Sequence, residues 1–180
     1  ELSVEVHGEP VSTMGPGAAF GEIALIDRRP RTATVTAATD VTLGDTKEGA
    51  FAIRLAEEFT ERRGGKIVNA DGLATMKQLW GKPSNWVDYS AELEGEKLGV
   101  AILDHPGNPG HPTRWHARDY GLFSLNPFGR QGFDESLQPN ITKLPSGQKL
   151  NYRWRVVIHP GDAQTGGVAA LYEEFAKTAR

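Results

Sequence analysis

The amino-acid sequence predicts a mainly β protein: a single antiparallel β-sandwich or jelly-roll-like domain ending in a C-terminal α-helix. Three observations point there. Leu150, Tyr152, Trp154, Val156 and Ile158 occupy every second position, the period of a strand with one face in a core. Residues 31–43 are dense in Thr and Val, whose branched side chains lose rotamer freedom in a helix and pack well on a pleated surface. Gly and Pro, 21 and 11 of 180 residues, recur as punctuation between short apolar runs.

The elements follow in chain order. Residues 3–6 and 11–14 alternate around His7, Gly8, Glu9 and Pro10 and read as a hairpin, with Gly15, Pro16 and Gly17 as a second break. Residues 31–43 read as two short strands broken near Asp40. Phe51, Ile53 and Leu55 alternate with Ala52 and Arg54, but Phe51, Leu55 and Phe59 are also four apart, so the period fits strand and helix; the expectation adopted is strand. Gly64 and Gly65 end it, and Asn69, Asp71 and Gly72 mark the next turn before a stretch holding Trp80, Trp86 and Tyr89. Residues 99–105 read as a buried strand. Residues 104–132, rich in Pro, Gly, His and Asn, read as a long functional loop ordered by its aromatics. In the strand near 150–158, Asn151, Arg153, Arg155 and His159 fall mostly on a wet face. Val168, Leu171, Tyr172 and Phe175 then form one stripe of a terminal helix.

Composition removes several function classes. Lys plus Arg is 20 against 23 Asp plus Glu, a net charge of -3, so the basic excess that drives nucleic-acid binding is missing and nucleic acid is not an expected partner. No run of about 18 apolar residues exists and the first residues lack a basic start, so neither a membrane span nor a signal peptide is expected. Without cysteine, disulfides, thiolate metal sites and cysteine nucleophiles are ruled out, while the cellular compartment stays open.

The densest chemistry lies between Asp104 and Gly129. His105, His111 and His116 fall within twelve positions, with Trp115, Arg118, Asp119, Tyr120 and Asn126 close by. Imidazoles with carboxylates suit general acid–base work, and convergent polar groups with aromatics suit a sugar-binding cleft. His105, His111, His116 and Asp119 are therefore the candidate catalytic residues, and Trp115, Arg118, Tyr120 and Asn126 the candidate ligand-binding ones. The spacing is not that of a zinc helix, and Pro106, Pro109 and Pro112 exclude a helix there, so no metal or cofactor is assigned. Whether the site is enzymatic is left open.

A second cluster comprises Gly21, Glu22, Ile23, Ala24 and Leu25, then Pro30, Arg31, Thr32, Ala33, Thr34 and Val35. This stretch resembles the phosphate-binding cassette of the cyclic-nucleotide-binding domain. The resemblance implies that Glu22 binds the ribose 2'-hydroxyl and Arg31 the cyclic phosphate, with Gly21, Thr32 and Ala33 lending further hydrogen bonds. It covers only residues 3–43.

From Gly44 onward, roughly three quarters of the chain resembles the bacterial PmoA-like family. Gly44-Asp45-Thr46-Lys47-Glu48-Gly49, Trp80-Gly81, Trp86-Val87-Asp88-Tyr89, Asp104-His105-Pro106, Trp115-His116, Arg118-Asp119-Tyr120-Gly121-Leu122 and Asn126-Pro127-Phe128-Gly129 carry the resemblance. It implies an all-β sandwich with a sugar-related role. Two segments, 1–43 and 44–180, are thus expected to meet without a linker and to pack as one domain. The functional expectation is a protein that binds or acts on a carbohydrate-like small molecule at residues 104–128. The alternatives are a cyclic-nucleotide sensor using Glu22 and Arg31 and an inert structural or chimeric domain.

Overall fold

The computed structural model describes residues 2–6, 9–14 and 33–179. It divides into two compact units, residues 1–44 with 141–151 and residues 45–140 with 152–180. The protein is mainly β, with twelve antiparallel strands among the described residues and a C-terminal helix.

In the first unit β1 (Leu2–Val6) and β2 (Glu9–Met14) form the expected hairpin, with a register shift between Val4 and Glu5. The free edge of β1 pairs with β3 (Ala33–Ala37). The break expected near Asp40 separates β3 from β4 (Val41–Leu43). A distant segment completes the unit. Thr142–Leu144, β11 in chain order, pairs with β4, while Gly147 N–H donates to Ala37 O at 2.8 Å and Ser146 N–H to Asp40 Oδ1 at 2.9 Å. The first unit runs to Gly44 and takes in residues 141–151. Strand pairing across about a hundred intervening residues leaves no local sequence signal.

The second unit is a two-sheet sandwich. One sheet has the order β12-β8-β7-β6, from β6 (Lys66–Asn69), β7 (Trp86–Leu93), β8 (Glu96–Asp104) and β12 (Trp154–Pro160). The other has the order β5-β10-β9, from β5 (Phe51–Arg54), β9 (Arg114–Ala117) and β10 (Leu122–Asn126). Because side chains alternate across a strand, Ile67, Val87, Tyr89, Val100 and Ile102 face Trp115, Ala117, Phe123 and Leu125 in one core. After the single turn α1 (Met76–Leu79), the second helix, α2 (Val168–Ala176), covers the opposite face of the larger sheet, its Val168, Tyr172 and Phe175 packing on Ala101 and Leu103. This double cover explains the uninterrupted burial from Val100 to Asp104.

Three expectations are corrected. The strand near 150 begins at Trp154, and its supposedly wet face lies beneath α2: Val157 joins that core, Arg155 stacks 4.6 Å over the Phe175 ring, and His159 is buried, whereas Ile158 is 71% exposed. Periodicity separates the two faces of a strand without saying what covers each. The stretch 104–132 is not one loop, because β9 and β10 lie inside it and pair with each other. Phe51 starts a strand, but Phe59 is buried from a 3-10 turn, Glu57–Phe59, which settles the mixed period.

Candidate functional site

β8 is apolar from Leu98 to Leu103 and then ends on Asp104, a carboxylate with no exposed surface. A carboxylate in that position needs donors, and four reach it. Oδ1 accepts Asn108 Nδ2 at 2.8 Å and Trp154 Nε1 at 2.9 Å. Oδ2 accepts the Thr113 N–H at 2.8 Å and His111 Nδ1 at 2.9 Å. Asn108 is itself fixed, donating to Arg153 O at 2.7 Å and accepting the Arg153 N–H at 2.7 Å. The Pro-rich turn after β8 is thus tied to β8 and to the chain entering β12.

This network fixes the tautomer of His111. A carboxylate only accepts, so Nδ1 carries a proton, and in the neutral ring the lone pair lies on Nε2. The His111 side chain keeps 16% of its surface exposed, and Nε2 has no partner among the described residues.

On its other oxygen Asp104 holds a row of rings. Trp154 stacks on Phe51 (5.6 Å between centroids, 26°) and on Tyr152 (5.1 Å, 9°), and Phe128 meets Tyr152 edge-on at 5.9 Å. All four are partly exposed. Burial, reinforced by the charge on Asp104, pushes the Tyr152 hydroxyl up to about 12, so it remains a proton donor at neutral pH. One fixed carboxylate therefore joins an imidazole acceptor to an amphipathic aromatic strip.

The other residues singled out from the sequence go elsewhere. His105 is buried, accepting the Gly107 N–H on Nδ1 (3.0 Å) and donating from Nε2 to Thr178 O (3.1 Å) against the edge of Phe175. His116 lies beneath Trp80 and Phe133 and accepts Arg118 Nε at 3.0 Å; burial first, then the Arg118 charge, lowers its pKa and keeps it neutral. Arg118 also stacks 4.0 Å over Trp80. Trp115 points to the opposite side of β9, has no exposed surface and donates to Ser84 O at 2.9 Å, so it is core. Asp119 pairs with Arg62, and Tyr120, 51% exposed, lies beside Arg54. Asn126 is fully buried and clamps its loop, accepting the Phe128 and Gly129 N–H groups at 2.8 and 3.2 Å and donating to Thr46 O at 2.6 Å. The three histidines of the loop thus have three separate partner sets. Gly21, Glu22, Arg31 and Thr32 lie outside the described residues, while Ala33 begins β3 opposite Val6.

The sequence reading missed Asp104, Tyr152 and Trp154 as members of one site. The available signal was a carboxylate ending an apolar strand, which must be matched by donors from elsewhere. It also missed a second buried pair, His159 Nε2 to Asp88 Oδ1 at 2.7 Å, with the His159 ring seated in space left by Gly99 and Gly166. Burial pushes the Asp88 carboxyl up to about 6, against the opposing pull of His159.

No group of three or more His, Asp or Glu able to hold a metal ion occurs among the described residues, nor does a helix long and apolar enough to cross a membrane. Fold and site together define a β protein whose second unit is a two-sheet sandwich in which a buried aspartate links a partly exposed histidine to an aromatic row. The chain belongs to a family of unknown function, DUF6807, which matches residues 22–173 and so spans both units. No solved structure matches the chain.

Proposed function

We propose that the second unit binds a carbohydrate-like ligand along the Phe51–Trp154–Tyr152–Phe128 row, with His111 Nε2 accepting a hydrogen bond from a ligand hydroxyl. A single observation supports this reading: Asp104 holds both His111, whose Nε2 has no partner among the described residues, and Trp154, which belongs to a row of four partly exposed rings. Rings offer apolar area to the C–H face of a pyranose, while His111 as acceptor and Tyr152 as donor match its hydroxyls. The resemblance of residues 44–180 to PmoA-like proteins points the same way.

Intrinsic tryptophan fluorescence and calorimetry against methyl glucosides, galactosides and xylosides test the reading. Saturable quenching at millimolar glycoside is expected, lost in Tyr152→Ala and weakened in His111→Gln, with both variants still melting cooperatively. No saturable change with any of the glycosides, or unaltered binding by Tyr152→Ala, would refute it.

A further inference from the structure

Resting on that carbohydrate reading, we infer that the site is hydrolytic: His111, positioned by Asp104, is the general base that cleaves an acyl ester carried by the bound sugar.

The distribution of free nitrogens selects the base. His105 has both ring nitrogens engaged, by the Gly107 N–H and Thr178 O. His159 faces Pro160 O with Nδ1 and Asp88 with Nε2, and Nε2 of His116 is taken by Arg118. Among the four described histidines, His111 alone has one nitrogen fixed by a buried carboxylate while the other has no partner among the described residues. That is the arrangement a general base needs: an orienting acceptor behind the ring sets the tautomer and offsets the charge of the imidazolium as it forms.

The same network selects the reaction. Cleaving a glycosidic bond employs two carboxylates acting directly on the sugar, one as acid and one as nucleophile or base. Asp104 has donors on both oxygens and no exposed surface, so it acts through His111 and not on the ligand. An imidazole lone pair suits activation of water toward a carbonyl carbon. His111 Nε2 takes one proton of a water as the water oxygen bonds to the acyl carbon. The tetrahedral adduct then collapses, the bond between acyl carbon and sugar oxygen breaks, and Nε2–H returns its proton to that oxygen. The products are a carboxylic acid and a free sugar hydroxyl. Water is the only co-reactant and nothing is oxidised or reduced.

Acetate release from glucose pentaacetate, with p-nitrophenyl acetate as a second ester, tests the inference on the full chain. Release well above buffer is expected, falling about a hundredfold or more in His111→Ala and recovering in part when free imidazole is added to that variant. A structural role for His111 would give no such rescue. Should His111→Ala melt early, His111→Gln serves the comparison and Asp104→Asn gives the positioning readout, a changed pH–rate profile. No acetate release from either ester, or an unchanged rate without His111, would overturn the inference. Glycoside binding without acetate release would overturn it while leaving the binding reading intact. Acetate release without glycoside binding would overturn its sugar assignment.

Discussion

Replacing Asp104 by alanine separates the site's anchor from its exposed partner. The carboxylate has no exposed surface and accepts four hydrogen bonds. Two of the donors can turn to water when it is removed, because Trp154 and His111 are partly exposed. The other two cannot: the Thr113 N–H belongs to a residue 1% exposed, and one Asn108 amide proton to a residue 7% exposed. A buried donor left without a partner costs about 1 to 3 kcal/mol, so two cost about 2 to 6 kcal/mol. Removing the buried charge also relieves its desolvation, which keeps the expected loss near the middle of that range, about 4 kcal/mol. His111→Ala leaves one Asp104 oxygen short of one donor while Thr113 still serves it, and should cost about 1 kcal/mol. Urea unfolding of the two variants and the parent, followed by tryptophan fluorescence and by circular dichroism, measures both. A loss below about 1 kcal/mol for Asp104→Ala, or equal losses for the two variants, would refute the claim that this carboxylate pins the turn after β8.

Other outcomes follow from the second buried pair and from the edge of the larger sheet. Gly166→Ala and Gly99→Ala would each set a Cβ into the His159 ring and should lower the melting temperature clearly, whereas Gly95→Ala, with open space around it, should show only the backbone cost of its positive φ. The Asp88 carboxyl is raised from 3.8 to about 6. Between those values the folded state holds a proton that the unfolded chain has released, so this group's stabilisation is complete below pH 3.8 and is lost as pH rises through about 6. Asp88→Asn should remove that slope, worth at most about 3 kcal/mol, from urea midpoints measured across the window. Ile158→Lys, at a side chain 71% exposed, should change stability by less than about 0.5 kcal/mol, and a large loss would show that something covers the outer end of β12.

What the sequence determined by itself was local. Branched side chains and two-residue alternation mark β1, β2, β3, β4 and most of β12, an unbroken apolar run marks β8, and a helical stripe marks α2, while the mixed period after Phe51 fitted strand and helix alike. The density of polar chemistry after Asp104 was legible as well. Tertiary structure alone decided which of those groups meet. His105, His111 and His116 are neighbours in sequence, yet β9 sends Trp115 into the core and His116 to the other face, while the end of α2 claims His105. Asp104 draws its partners from positions 108, 111, 113 and 154, and the last of these depends on β12 pairing with β8. Likewise, Arg155 and Val157 are partly covered by α2, and the buried His159 is packed against Gly166 just ahead of that helix. A side chain's period reports the face it points from. What waits on that face is fixed by strands and helices far along the chain, through burial and hydrogen-bond demands that must be satisfied together.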